Sequence, residues 1–220
     1  MDIKQDFVKF CTKHQKLSST LLHSYNKYQS DSHSEVNSHG MMIDMYSRLI
    51  EGRVVFLSTE INSDVSNIIK AQLLYLEQLS NDDINLYIDS PGGSVYSGLG
   101  LIDTIEYITP DVATINTGLA ASLAAVILCC GTKGKRKSLK RSRTMLHQPL
   151  SYGGFLQQAS DIEIDAREIN SIKKELYEII SEKTGQPYDK VHQDSDRDYW
   201  MNSENALKYG MIDEIIIKRI

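Results

Sequence analysis

The sequence predicts an α/β domain built from strand–turn–helix units. Three observations carry this. Short apolar or alternating runs suited to strands stand at residues 54–57, 84–89 and 112–116. Between them, residues 63–80 and 94–108 repeat apolar side chains at helical spacing. The chain has 220 residues, 41% of them hydrophobic, enough for one sizeable core. Successive units of this kind argue for right-handed βαβ crossovers.

In chain order, residues 1–40 differ from the rest. Residues 5–25 have the pattern of a short amphipathic helix, and 26–40 are rich in Ser, His, Asn and Asp, as in a mobile linker. The compact domain is expected over 41–220. Val65, Ile68, Ile69, Leu73, Leu76 and Leu79 fall on one face of the 63–80 helix. Ile84, Leu86 and Ile88 alternate as in a half-buried strand. Pro110 stops the 94–108 helix. A small-residue helix begins near Ser122, and 144–148 reads as a strand. A long helix is expected over 161–183. Ser160 and Glu163 match a capping box at its start, and Gly185 with Pro187 ends it. Such a length needs a second surface to bury against, and a partner subunit is a candidate.

Charge and composition exclude several classes. The formal net charge of −5 gives no global sign of nucleic-acid binding. The basic stretch 133–143 lacks interleaved aromatics and is expected to be a solvated hairpin. Three cysteines make no disulfide framework, and adjacent Cys129 and Cys130 read as buried thiols of a protein from a reducing cytoplasm. No apolar run has the length of a membrane span, and the first 30 residues lack a signal-peptide pattern. His23, His33 and His39 fit no closed zinc spacing, so no metal site is expected.

The chemistry lies in three motifs. Ser90-Pro91-Gly92-Gly93 sits between a strand and a helix, where glycines let backbone N–H groups approach a developing anion. Ser122 ends the run Gly-Leu-Ala-Ala-Ser, whose small neighbours leave its hydroxyl accessible. On spacing alone it reads as a helix N-cap rather than a nucleophile. His147, in a strand-like run, supplies the base that a serine nucleophile needs. A carboxylate should orient the imidazole, and the segment 194–198 offers Asp194, Asp196 and Asp198 without distinguishing them.

These motifs together resemble the proteolytic subunits of Clp proteases. The likeness also runs through Tyr46-Ser47-Arg48-Leu49-Ile50, Gly131-Thr132-Lys133-Gly134-Lys135-Arg136, His147-Gln148-Pro149-Leu150, Asp161-Ile162-Glu163-Ile164 and Asp196-Arg197-Asp198. It spans about residues 41–217. The resemblance implies a crotonase-like fold of ββα units with a protruding handle helix, which 161–183 matches. It implies a serine endopeptidase with Ser122 as nucleophile, His147 as base and Asp198 as orienting carboxylate. The N–H groups of Gly93 and Leu123 would form the oxyanion hole.

It further implies a homo-oligomer of two stacked heptameric rings, with Arg197 at the ring–ring contact. A hexameric Clp-type AAA+ ATPase would feed unfolded protein substrates into the chamber. It would dock on a cleft that includes Tyr87, Tyr107, Ile115, Leu139 and Ile216. ATP would belong to that partner and no cofactor to this chain. The location would be cytoplasmic, with no nucleic acid or membrane as partner. Two departures from the family stand out. The loop after Leu150 is about two residues longer than usual, and Asn85, Thr117 and Lys137 replace apolar cleft residues. Two other activities share parts of this pattern: a catalytically silent ring subunit, and a crotonase-type acyl-CoA enzyme.

Overall fold

The computed structural model describes residues 42–150 and 158–218, together with 34–36 and the single positions 10 and 13. Its centre is a sheet in the order β3–β4–β5–β6–β9, formed by Val54–Leu57, Ile84–Ser90, Val112–Ala121, Lys137–Leu139 and Glu214–Ile216. All neighbours on this path are parallel. The ten-residue β5 serves two partners. Ile115 and Asn116 pair with β6, and residues 119–121 pair in parallel with β7, Arg143–Leu146. β8, Tyr199–Asn202, then runs antiparallel to β7.

The helices follow the strands as expected. α2 (Ser63–Leu79) and α3 (Val95–Tyr107) cross from β3 to β4 and from β4 to β5. α1 (Met45–Glu51) precedes β3, and α4 (Leu123–Cys129) follows β5. Ile84, Leu86 and Ile88 are fully buried and join apolar residues of α2, α3 and α4 in one core. Each such side chain contributes roughly 1.5–3 kcal/mol by leaving water. α2 is capped at both ends by side chains. Asn62 accepts from the Val65 amide at 2.9 Å. At the other end Arg53, with φ 57°, donates to the carbonyls of Leu76, Ser80 and Asp82.

The other face of the sheet is less covered. Register places Phe56, Tyr87, Ile115, Lys137 and Glu214 in one row across β3, β4, β5, β6 and β9. Leu139 and Ile216 stand two residues further along on the same face.

Several expectations need correction. The long helix α5 runs Ala159–Thr184, starting before Ser160, which therefore lies inside the first turn and caps nothing. Gln158 occupies the cap position without a side-chain hydrogen bond. The C-terminal stop holds, with Gly185 at φ 77° donating to Ser181 O. Only the second half of α5 is buried, through Ile172, Leu176, Tyr177 and Ile180, whereas Ile162 and Ile164 are exposed. The strand expected at 144–148 ends at Leu146, where its ladder with β8 ends, so His147 lies just beyond it.

The basic stretch is not simply solvated. Arg136 is 1% exposed and forks onto Asp213, with Nε to Oδ2 at 2.8 Å and Nη2 to Oδ1 at 2.6 Å. Its Nη1 donates to the carbonyls of Cys129 and Lys183. Lys135 bridges Asp83 and Asp111. Two short helices, α6 (Tyr188–Asp194) and α7 (Ser203–Tyr209), complete the domain. Within the expected linker, Ser34–Val36 forms β1 and pairs antiparallel with β2, Met42–Asp44. The expected helix at 5–25 lies outside the described residues except at Phe10 and Lys13, both helical. The histidines at 23, 33 and 39 and the loop 151–157 also lie outside them.

Candidate active site

The site is assembled where β4, β5 and β7 end together. After β4, Gly92 (φ 92°) and Gly93 (φ 148°) turn the chain toward α3 in conformations that disfavour side chains. Ile61 N–H donates to Gly92 O, and Ser94 N–H donates to Ile61 O, both at 2.8 Å. This parallel bridge directs the intervening Gly93 N–H away from Ile61. A Cβ on Gly92 would lie 2.7 Å from Ala121 O and 3.0 Å from Leu123 N, so glycine is what lets the two loops meet. Leu123 opens α4, and its N–H has no partner within the helix. The glycine turn thus packs against Ser122 and the first amide of α4.

Ser122 follows β5 directly with φ 56° and ψ −128°. This is a sparsely populated conformation for a residue with a side chain, costing on the order of 1–3 kcal/mol. Ser122 occupies the N-cap position of α4, as the spacing suggested, but its side chain makes no cap hydrogen bond and is left for other partners. The Ser122 N–H donates to Met145 O at 2.8 Å, tying the nucleophile to β7. Its Oγ lies 2.8 Å from His147 Nε2.

His147 Nδ1 lies 3.2 Å from Asp198 Oδ1. The tautomer that satisfies both contacts carries its proton on Nδ1, so Nε2 accepts from the serine hydroxyl. The other two aspartates are engaged elsewhere. Asp194 pairs with Lys190 at 2.6 Å, and the Asp196 carboxylate faces Arg197 at 3.9 Å. The structure therefore separates three carboxylates that sequence alone left equivalent.

Before these groups opens a cleft of about 660 Å³, lined by Glu60, Asn62, Pro91, Val95, Pro149 and Leu150 besides the residues named above. Such a volume accommodates a peptide segment. Ser122 Oγ, the imidazole, the carboxylate and the two N–H groups are the parts that acyl transfer needs.

The remaining predicted residues lie apart from this cleft. Arg197 is almost wholly exposed. Tyr107 is exposed, Leu139 is 37% exposed, and Tyr87 and Ile216 are half-buried. Ile115 is 4% exposed and offers almost no surface to a partner. Among the described residues no group of three or more His, Cys, Asp or Glu could hold a metal ion, and no helix is long and apolar enough to cross a membrane. Sequence reasoning missed two contributors. Ile61 acts through its backbone alone and leaves no side-chain signal. Gln148, beside the base, contacts the loop that carries Asp198.

The Clp protease family model matches residues 37–219. An ATP-dependent Clp protease proteolytic subunit from Bacteroides fragilis (strain YCH46) is 50% identical, covering 97% of this chain and 99% of its own. The Porphyromonas gingivalis counterpart is 51% identical, with coverage of 97% and 98%. One from Parasynechococcus marenigrum is 54% identical over 177 residues, 80% of this chain and 89% of its own. The first two alignments leave little uncovered, so most of residues 1–40 has a counterpart in those relatives. A nucleophile, base and carboxylate in hydrogen-bonding order, on a chain matched from residue 37 to 219, lead to one conclusion: this chain belongs to the Clp protease family and is a serine peptidase of that family.

Proposed function

We propose that this chain is the proteolytic subunit of an ATP-dependent Clp protease, hydrolysing unfolded polypeptides to short peptides. The observation that carries the proposal is the geometry of one line of atoms. Ser122 Oγ lies 2.8 Å from His147 Nε2, and His147 Nδ1 lies 3.2 Å from Asp198 Oδ1. Both contacts lie within or near the reach a general base needs, without any rearrangement.

The mechanism follows from the positions. His147 takes the hydroxyl proton as Oγ attacks a peptide carbonyl carbon in the cleft. The carbonyl oxygen acquires negative charge beside the N–H groups of Gly93 and Leu123, each donor being worth about 10²–10³ in rate. Protonated His147 is stabilised by Asp198 and returns the proton to the leaving amine. Water, activated by the same imidazole, then releases the acyl group from Ser122.

The cleft is open, so selection for unfolded chains has to come from limited access. Two stacked heptameric rings of this chain supply that restriction. Exposed Ile162 and Ile164 on the free half of α5 suit a contact between subunits, and Arg197 suits the ring–ring boundary. The sheet face carrying Tyr87, Leu139 and Ile216, with Phe56 beside Tyr87, is the docking surface for a hexameric AAA+ ATPase. ATP is used by that partner, this chain needs no cofactor, and both work in the cytoplasm.

A silent structural subunit would have no need to hold three triad residues in order. An acyl-CoA enzyme would have no need of the strained serine. The test uses the assembled full-length protein with a fluorogenic peptide and a fluorophosphonate probe. The probe labels Ser122, and Ser122→Ala abolishes labelling and lowers turnover by about 10⁵–10⁶. An assembled particle that neither cleaves peptides nor takes the probe would overturn the proposal.

A further inference from the structure

The loop carrying Asp198 is held from behind by one face of α5. Two successive carbonyls of that loop are engaged. Tyr177 Oη donates to Ser195 O at 3.4 Å, and Gln148 Nε2 donates to Asp196 O at 2.8 Å. Gln148 is itself held, because Lys173 Nζ donates to its Oε1 at 3.1 Å. Lys173 and Tyr177 are one helical turn apart, and the Lys173 ammonium lies 5.6 Å from the Tyr177 ring centroid. The amide orientation of Gln148 is dictated by these partners. Reversing it would set NH₂ against an ammonium and oxygen against a carbonyl.

We infer that Gln148 is a positioning residue for the triad, and that Lys173 makes its hold depend on where α5 sits. His147 and Gln148 are consecutive, and Asp196 precedes Asp198 by two. The Gln148–Asp196 bond therefore clamps the two chains just past the last β7–β8 rung, Leu146 with Tyr199. Asp198 needs such a clamp. Its carboxylate is 59% exposed and faces His147 across a single contact at 3.2 Å. An exposed carboxylate left to water would wander from the imidazole, and small displacements of this kind cost rate rather than binding. Gln148 does not itself line the cleft, and its side-chain bonds go to Asp196 O and Lys173 rather than to Ser122, so it acts through His147 and Asp198. The inference rests on the triad proposed above, and hydrolysis by the parent particle tests that reading separately.

Gln148→Glu keeps the side-chain shape and strengthens the link to Lys173. It places a carboxylate oxygen against the Asp196 carbonyl and so breaks only the loop contact. Each variant is assayed as the particle isolated at the parent's assembled mass. Gln148→Glu is expected to lower kcat for a short peptide about tenfold or more. KM should stay within about twofold, and fluorophosphonate labelling should slow in proportion. Lys173→Met should lose kcat in the same sense, and Lys173→Arg, which keeps the donor, should restore it. Should Gln148→Glu not assemble, Gln148→Ala is read by the same criteria. A kcat within twofold of the parent in the assembled Gln148 variant overturns the inference, as does a rise in KM with kcat unchanged.

Discussion

His147 and Asp198 each lie one residue beyond the last rung of the β7–β8 ladder, Leu146 with Tyr199, and their side chains meet there at 3.2 Å. The base and its carboxylate are thus a cross-strand pair whose meeting is fixed by sheet register. Ser122 joins by the same logic, since Ala121 pairs with Met145 and the next amide, that of Ser122, bonds Met145 O.

Asp198→Asn tests what the pair does. The amide keeps the shape but favours the wrong imidazole tautomer and no longer stabilises the imidazolium. Peptide turnover is expected to fall by about 10²–10⁴, with KM little changed. The lower end of that range suits a carboxylate exposed to water. Steady-state hydrolysis by the assembled particle checks this, and activity within threefold of the parent would show that Asp198 does not orient the base.

Gly92→Ala tests the oxyanion geometry. The added Cβ would lie 2.8 Å from Ser122 Cβ and 3.0 Å from Leu123 N, at a φ of 92° that alanine resists. The expected result is a folded protein with turnover reduced by about 10²–10³, as when one oxyanion donor is lost. Gly93→Ala should be worse for stability, because its Cβ would lie 2.2 Å from Ile61 O. Thermal melts separate the two effects. Equal destabilisation with normal turnover per folded site would contradict the assignment.

The strands and helices around this site were legible because apolar periodicity is a local signal. Ile84, Leu86 and Ile88 alternate in sequence and are buried in the structure. What was not legible depends on distant partners. The choice among three aspartates turns on β7–β8 register, with His147 and Asp198 51 positions apart. Arg136 looked like one charge among many, and its partner lies 77 positions away. The start of α5 was misplaced for a different reason. Ser160 and Glu163 form a local capping pattern, but the helix continues past it to Ala159 with no side-chain cap.

The Arg136–Asp213 pair yields a prediction about acid stability. Burial by itself would raise the Asp213 carboxyl. Hydrogen bonds from Arg136 and the Gly134 amide, with the Arg136 charge, overcome this and hold it far below the usual carboxylate range. In the unfolded chain the same carboxyl titrates near about 3.9. Between the two values the unfolded state binds more protons, so stability rises with pH there. The contribution is complete above about pH 5 and is lost as pH falls through the unfolded value toward the folded one. Asp213→Asn leaves the Arg136 guanidinium buried without its counter-charge, which costs about 3–5 kcal/mol at neutral pH. The difference between parent and variant should then narrow as pH falls from 5 to 3, followed by denaturant unfolding and circular dichroism. A difference that stays constant over that interval would mean that the ionised carboxylate is not its source. Removing both partners together, as in Arg136→Met with Asp213→Leu, should cost less than the sum of the single losses, because no unpaired charge remains buried.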